Sequence, residues 1–178
     1  MRTAVTIDDA FAVSRAAKGD LAEILELQHI AYRSEAILLN KQDIPPLRQT
    51  IEDIENEFAT SVFLKATDKQ GRIVGSVRAR EADDTQFIGK LIVQPSLQGK
   101  GIGTRLLKEI ESISGCARCE LFTSSKSIRN IALYERLGYT AFRQEKISGD
   151  LSFVYLQKEK RIAGNAAARF FDSVKDMP

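Results

Sequence analysis

The sequence has no long apolar runs and no excess of one charge. No apolar stretch approaches the roughly 20 residues that a membrane-spanning helix needs. Lysine and arginine number 26 against 24 aspartates and glutamates, and this near balance disfavours a nucleic-acid-binding protein. The first nine residues lack a basic segment followed by an apolar one, so we expect no signal peptide and a cytoplasmic protein. We therefore expect a soluble globular protein with neither membrane nor nucleic acid as a partner.

Potential metal ligands are also scarce. Cys116 and Cys119 form a Cys-x-x-Cys pair and His29 is the single histidine, whereas a structural zinc site needs about four ligands. A redox-active pair should open a helix after a strand, but this pair follows a helical pattern and precedes a strand. We expect no metal site and interpret the cysteines as small residues at a helix-to-strand corner. Because no serine or cysteine nucleophile motif accompanies His29, we interpret it as a structural helical residue.

A single domain accounts for the pattern of the chain. Its 178 residues fit one domain of roughly 100 to 200 residues, which we place at 10–160, with 161–178 as an unassigned tail. The strand that follows the central helix should lie parallel to the strand before it. The prediction is therefore an α/β fold with a mixed, mostly antiparallel sheet flanked by helices. Apolar spacing predicts strands at 10–17, 62–67, 72–81, 86–94, 118–123, 139–147 and 151–158, and helices at 21–33, 47–59, from 102, and at 128–137.

The most informative stretch joins an apolar strand to an amphipathic helix through three glycines. Leu91-Ile92-Val93 predicts a buried strand that ends near Pro95, and helical spacing begins at Ile102. Glycine lets the backbone approach a ligand closely, and the first amides of a helix are unpaired and carry partial positive charge. The stretch therefore predicts a phosphate-binding loop that uses the backbone amides from Gly99 to Thr104. The three glycines are Gly99, Gly101 and Gly103.

The glycine spacing distinguishes between kinds of phosphate site. A dinucleotide fingerprint needs glycine where the chain has Thr104, and the P-loop spacing is absent as well. The run Gln98-Gly99-Lys100-Gly101-Ile102-Gly103, after Val93-x-Pro95, instead resembles the acetyl-CoA loop of the GNAT superfamily of N-acetyltransferases, Gln/Arg-x-x-Gly-x-Gly/Ala. Lys100 and Arg105 flank this loop, and we rank them below the backbone amides as phosphate ligands.

A second run is similar to the closing helix of the same superfamily. It contains Asn130-Ile131-Ala132-Leu133-Tyr134, followed by Gly138-Tyr139. In the superfamily the asparagine lies seven residues before the tyrosine, where this chain has Ser127, while Asn130 lies four before it. Ser127 and Asn130 therefore both remain candidates for a contact with the pantetheine arm. The resemblance implies the GNAT fold from about Phe11 to Lys158, with a splayed parallel pair of strands at the cofactor cleft.

The resemblance also implies a reaction, in which a primary amine attacks the thioester of acetyl-CoA while both are bound. The strand Leu91, Ile92 and Val93 would supply a backbone donor to the oxyanion, and Tyr134 would be the acid for the departing thiolate. Some members carry a glutamate base on the strand after the central helix, where this chain has Phe122. Glu81 on the hairpin strand, Glu35 in a predicted loop, and an ordered water remain alternative bases.

Several alternatives stay open at this stage. A non-catalytic acyl-CoA-binding or sensing module would keep the loop without the chemistry, and a nucleotide-binding oxidoreductase is disfavoured by Thr104. We expect residues 21–59 and 147–151 to face the acceptor. The sequence favours no acceptor among protein N-termini, lysines, polyamines, amino acids and aminoglycosides, and a homodimer is left open. Acidic character suited to a cationic amine comes from Glu35, Asp43, Glu81, Asp83 and Asp84, with Ser34 in the same predicted loop.

Overall fold

The computed structural model describes residues 10–41, 43–149 and 151–160. In this part of the chain, strands and helices follow one another in the predicted order, except that one predicted helix is divided in two, while the predicted tail at 161–178 lies outside the described residues. The strands are β1 (Phe11–Arg15), β2 (Val62–Asp68), β3 (Ile73–Ala82), β4 (Thr85–Val93), β5 (Arg118–Ser124), β6 (Thr140–Ser148) and β7 (Leu151–Glu159). The helices are α1 (Leu21–Leu38), α2 (Pro45–Arg48), α3 (Ile51–Phe58), α4 (Ile102–Ser112) and α5 (Ile128–Arg136).

The strands form one seven-stranded sheet in the order β1-β2-β3-β4-β5-β7-β6. Every neighbouring pair is antiparallel except β4 and β5, which are parallel and joined through α4. A parallel pair needs such a crossover, whereas the antiparallel pairs β2-β3, β3-β4 and β6-β7 are hairpins joined by short turns. One of these turns places Asp83 and Asp84 at φ of 49° and 57°, as a two-residue hairpin turn requires. The predicted mixed, mostly antiparallel α/β sheet is confirmed.

Helices cover the two faces of the sheet. Side chains alternate between the faces along a strand, so Leu64 points toward α4 while its neighbour Phe63 points toward α1 and α3. The α4 face holds the larger core cluster, to which α5 adds Tyr134. The α4 residues of that cluster are Ile102, Leu106, Leu107 and Ile110, and the α1 and α3 residues of the smaller cluster are Leu21, Ile24, Leu27 and Ile54.

Helix α1 is longer than its apolar spacing predicted. The predicted end near Arg33 is wrong, because the helix continues for five more residues to Leu38. No glycine or proline interrupts 34–38, and Asn40, which adopts a positive φ of 50°, follows the helix. Glu35 is consequently a helical residue, not the loop residue that the sequence predicted.

The predicted helix at 47–59 is divided in two. Pro45 and Pro46 begin α2 and Gln49 is extended, with ψ of 131°, so α2 ends at Arg48. Thr50 then caps α3, because its Oγ1 accepts a hydrogen bond from the Asp53 amide at 3.2 Å while the Asp53 carboxylate accepts one from the Thr50 amide. A continuous apolar spacing therefore concealed a new helix start.

Candidate functional site

A cleft opens where β4 and β5 separate. Their parallel pairing covers only Thr85, Gln86 and Phe87 of β4, opposite Arg118 to Glu120 of β5. Beyond Phe87 no register pair joins the two strands, although β4 continues to Val93 and β5 to Ser124. The β4 segment Leu91–Val93 therefore has a backbone edge that no strand pairs on the β5 side. This is the splayed pair that the resemblance implied.

A bulge bends β4 at the opening of this cleft. Ser76 pairs with Ile92 and Arg78 with Gly89, so one residue of β3 lies opposite two of β4, Lys90 and Leu91. Lys90 adopts a positive φ of 50°, which non-glycine residues rarely take. Bulges of this kind reorient a side chain, and this one directs Lys90 toward α1, where its Nζ lies 5.5 Å from the centre of the Tyr32 ring.

The glycine loop ends at the start of α4, as predicted. Gly99 and Gly101 have φ of 78° and 84°, and Gly101 is the N-terminal flanking residue of α4, with no side-chain cap. A Cβ built on Gly99 would meet nothing within 4 Å, so the loop borders open space. The first amides of α4, from Ile102 to Thr104, have no partner within the helix. This backbone fits a phosphate group.

Gly103 marks the point where three elements meet. A Cβ built there would lie 3.7 Å from Val93 Cγ2, 3.9 Å from Leu133 Cδ2 and 4.0 Å from Leu91 Cδ2. The start of α4, the open end of β4 and helix α5 are therefore in contact. Both sequence runs that resemble the GNAT superfamily border one cleft.

Tyr134 of α5 shares this neighbourhood with α1. Its side chain is buried, and burial together with the nearby Tyr32 and Glu35 raises the pKa of its hydroxyl above the usual value. Glu35 Oε1 also accepts a hydrogen bond of 2.5 Å from the Ser127 hydroxyl. The extra turn of α1 thus brings Glu35 to the N-terminal end of α5, close to the predicted acid.

Ser127 and Asn130 lie in different environments. Ser127 is buried and bonded to Glu35, while Asn130 is exposed and its Nδ2 lies 3.5 Å from Thr123 Oγ1. Gln98 of the loop is exposed, and its Nε2 donates to the Val93 carbonyl at 3.4 Å. Lys100 is exposed as well.

Glu81 is not brought to the cleft. It is exposed and pairs with Gln86 near the start of β4, whereas the open segment begins at Leu91, roughly 15 Å further along the strand. The antiparallel hairpin places the end of β3 beside the start of β4, and this register separates Glu81 from the predicted acid. Asp83 and Asp84 lie in the adjoining turn, so the predicted acidic surface is dispersed.

Phe122, which stands where some superfamily members have a glutamate, belongs to an aromatic cluster. It is 54% exposed, and its ring centre lies 5.1 Å from that of Phe153 and 5.4 Å from that of Tyr155. No carboxylate replaces the missing base at this position.

The cysteines lie away from the cleft. Both are buried free thiols, and Cys119 Sγ lies 3.3 Å from Gln86 Oε1, near the paired start of β5. Burial raises the pKa of the Cys119 thiol. Within the described ranges no group of three or more His, Cys, Asp or Glu side chains is placed to hold a metal ion, and no helix there is both long and apolar enough to cross a membrane.

The sequence analysis missed a buried polar network on the α1 side of the cleft. Arg78 is 5% exposed, and its Nη2 donates to Gln28 Oε1 and to Gln49 Oε1, each at 2.9 Å. Its Nε lies 2.9 Å from Glu57 Oε2. The signal that could have revealed it is an arginine in the middle of a strand, between the apolar residues Val77 and Ala79.

Comparisons with known proteins agree with this geometry. Residues 59–141 match the family model of the GNAT acetyltransferase domain, which spans the glycine loop and α5. A curated relative, the UPF0157 protein YqkA of Bacillus subtilis, is 27% identical over 118 residues. That match covers 66% of this chain but only 34% of the relative, so the chain spans about a third of its length.

Solved structures show the same fold. The PaiA N-acetyltransferase of Thermoplasma acidophilum, in complex with coenzyme A, superposes with a TM-score of 0.71 at 17% identity over 85% of this chain and 99% of that one. The Escherichia coli ribosomal-protein-S18-alanine N-acetyltransferase superposes with a TM-score of 0.71 at 18% identity, over 88% of this chain and 97% of that one. A phosphinothricin acetyltransferase of Sinorhizobium meliloti, in complex with AcCoA, superposes with a TM-score of 0.68 at 21% identity, over 84% of this chain and 88% of that one. Residues 59–141 thus match a GNAT acetyltransferase domain, and the chain has the fold of these acetyltransferases.

Proposed function

We propose that this chain is an acetyl-CoA-dependent N-acetyltransferase that transfers the acetyl group to a primary amine by direct attack, with both substrates bound. The observation that carries the proposal is the meeting of the glycine loop, the open edge of β4 and the buried Tyr134 at one cleft. The family-model match supports acyl transfer. The two free thiols suit a reducing compartment, and we propose the cytoplasm.

The backbone of the cleft fits the donor substrate. The amides from Gly99 to Thr104 would bind its phosphates, because the helix start has no side-chain cap and the loop borders open space. The unpaired edge of Leu91–Val93 would hold the amides of the pantetheine arm and donate to the oxyanion that the thioester carbonyl oxygen becomes when the amine attacks the carbon. Bound there, acetyl-CoA supplies an activated acetyl group.

Tyr134 is the proposed acid. The N–C bond to the amine forms and the C–S bond breaks, so the sulfur leaves as a thiolate that needs a proton. Burial keeps the Tyr134 hydroxyl protonated at neutral pH. The same burial raises the pKa of a thiol in the cleft, which makes the thiolate a better acceptor for that proton.

Glu35 is the proposed base. An alkyl ammonium must lose a proton before its nitrogen can attack, and the Glu35 carboxylate is the acidic group found beside Ser127 and near Tyr134. Its hydrogen bond with Ser127 orients the carboxylate toward the N-terminal end of α5. Of the two glutamates that the sequence offered, only Glu35 reaches this neighbourhood.

The test is release of free thiol from acetyl-CoA across a panel of primary amines. With an amine that is turned over, we expect Tyr134→Phe to lower kcat by about 100-fold, and Glu35→Gln to lower kcat/KM by at least about tenfold. Tyr139→Phe is the matched control, because Tyr139 is also a buried tyrosine but its hydroxyl donates to Glu111, at 2.8 Å.

Two results would count against the proposal. Equal losses in Tyr134→Phe and Tyr139→Phe would mean that the first substitution acts through packing. Saturable binding of acetyl-CoA without thiol release from any amine would favour the non-catalytic sensing module.

A further inference from the structure

A cavity of about 440 Å³ lies beside the bulge in β4. Lys90 forms its β4 side, one residue before the segment that would hold the thioester. The cavity is within the size range of small-molecule sites. The remaining lining residues come from α2, α3 and the residues that join them: Pro45, Arg48, Gln49, Asp53, Asn56 and Glu57.

Arg78 borders this cavity through two of its lining residues, Gln49 and Glu57. Its guanidinium is 94% buried, yet its Nη1 has no hydrogen-bond partner among the described residues. A buried donor without an acceptor is costly, and more so when it is charged. Among the described residues its one ion pair is with Glu57, whose side chain is 43% exposed. Arg78 therefore adds positive charge behind the lining of the cavity.

Lys90 is a second cation with no counter-charge of its own. In the part of the chain that the structure describes, no carboxylate lies within ion-pair distance of its ammonium, which instead faces the Tyr32 ring. Lys90 and Arg78 are close enough to affect one another, since Arg78 helps to lower the pKa of the Lys90 ammonium. Two cations and one carboxylate, Glu57, thus leave a net positive charge in a partly buried site.

We propose that the acetyl acceptor is an amine that also carries a carboxylate, that Lys90 binds this carboxylate, and that the buried Arg78 adds positive charge behind the site. The inference rests on the proposed N-acetyltransferase function and names its substrate class. The carboxylate oxygens would accept hydrogen bonds from the Lys90 ammonium, and charge-assisted hydrogen bonds of this kind are strong. Because Lys90 adjoins Leu91, an acceptor held there has its amine within a few ångströms of the open β4 edge. This acceptor is zwitterionic and is one of the classes that the sequence left open, whereas the acidic residues of the sequence were considered suited to a cationic amine.

The experiment compares matched acceptors. Thiol release from acetyl-CoA is measured with the common amino acids and with the carboxamide of each, and with a polyamine and a lysine-containing peptide. An α-amino group beside a carboxamide is a weaker base than one beside a carboxylate, so a larger fraction of it is unprotonated at neutral pH. The availability of free amine alone would therefore favour the amide. We nevertheless expect kcat/KM to be about 10- to 100-fold higher for the acid member of at least one pair.

Substitution of Lys90 tests the residue assignment. We expect Lys90→Met to lower the acid-to-amide ratio of kcat/KM by about tenfold or more, through KM and not through kcat. Lys108→Met removes a lysine from the exposed side of α4 and should leave the ratio unchanged. The apparent KM for acetyl-CoA should be the same in both variants, which separates loss of the acceptor site from general damage.

The outcomes separate the two proposals. Release from the polyamine, the peptide or the amides at least as readily as from the acids overturns this inference and leaves the N-acetyltransferase function intact. An unchanged ratio in Lys90→Met overturns the assignment of Lys90. No release from any amine by a protein that binds acetyl-CoA overturns the function and this inference together.

Discussion

Lys90 combines two features that disfavour the folded state. Its φ of 50° is a conformation that costs a non-glycine residue about 1 kcal/mol or more. Burial, with a contribution from Arg78, lowers the pKa of its ammonium to about 8, which means that the folded protein disfavours the charged form. Such strain is common where a side chain contacts a ligand. The position of Lys90 is therefore better explained by binding than by stability.

The titration of Lys90 predicts a pH dependence for binding of the carboxylate. The Lys90 ammonium is charged below about pH 8 and becomes neutral above it, so affinity for an anion falls as pH rises. We expect the inhibition constant of an N-acetylated amino acid, the proposed product, to rise about tenfold between pH 7 and pH 9. This inhibitor has no amine, and its carboxylate stays ionised throughout, so its own titration does not contribute.

The neighbours of Lys90 do not explain such a change. Burial raises the pKa of Tyr32 to about 12, so this hydroxyl stays neutral across the range, and Arg78 forms an ion pair with Glu57. Arg48 and Asp53 also line the cavity, and hydrogen bonds from Thr50 lower the pKa of the Asp53 carboxyl, so this group stays ionised. In Lys90→Met the inhibition constant should no longer vary with pH. An unchanged dependence in that variant would assign the titration to another group.

At the scale of single residues, the sequence predicted those positions that a motif fixes in register. Tyr134 was predicted because several neighbouring residue types match the closing helix at once. Arg78 and Lys90 were not predicted, because a strand pattern does not reveal which polar residues a bulge and a distant helix will bury. Glu35 and Glu81 were equal candidates until the length of α1 and the hairpin register placed one near the cleft and the other far from it.

At the scale of secondary structure, strand positions were predicted to within about two residues, and the helix ends were less accurate. Strand ends carry turn residues such as Gly71 and the Asp83-Asp84 pair, which make them visible in a sequence. The end of α1 carries no such signal before Asn40, and the start of α3 depends on the Thr50 cap within an apparently continuous apolar spacing. Local signals therefore determined how much could be predicted.

The turn before α4 predicts an effect on binding that can be separated from an effect on stability. Gly101 has φ of 84°, so Gly101→Ala should cost about 1 kcal/mol or slightly more of unfolding free energy. Because Gly101 also orients the first amides of α4, we expect the apparent KM for acetyl-CoA to rise by roughly tenfold. Urea unfolding and initial rates measure the two quantities.

Gly71 provides the control for this substitution. It has φ of 80° in the turn between β2 and β3, and a Cβ there would meet nothing within 4 Å. Gly71→Ala should therefore lose a similar amount of stability with no change in KM. If both variants raised KM equally, the effect of Gly101→Ala would be one of stability alone.

At the scale of the whole molecule, the N-terminal and C-terminal parts of the sheet are joined by a short stretch of parallel pairing. Three residue pairs link β4 to β5, whereas β5 and β7 share seven. The cleft lies beyond this short junction, and groups from α1, α4, α5 and β4 border it. No single sequence run contains the site, and for this reason the sequence alone predicted its parts but not their arrangement.

This arrangement predicts the kinetic mechanism. The cysteines are the strongest potential acyl-carrying nucleophiles, but they lie at the paired end of the junction, and burial keeps Cys119 a thiol by raising its pKa. We expect double-reciprocal plots of initial rate to intersect, as for a ternary complex, and Cys119→Ala to retain kcat within about threefold. Parallel lines together with inactive Cys119→Ala would instead indicate an acyl-enzyme.

The unpaired edge of β4 has a consequence for the evolution of such a domain. A site formed by peptide N–H and C=O groups is specified by the path of the chain, and almost any side chain is compatible with that path. Substitutions can therefore accumulate along Leu91–Val93 without erasing it, provided that the strands still separate. The Thermoplasma protein solved with coenzyme A has the same fold at only 17% identity. Descendants inherit a site of this kind with the architecture, while the side chains beside it, including the proposed acceptor contact Lys90, remain free to change.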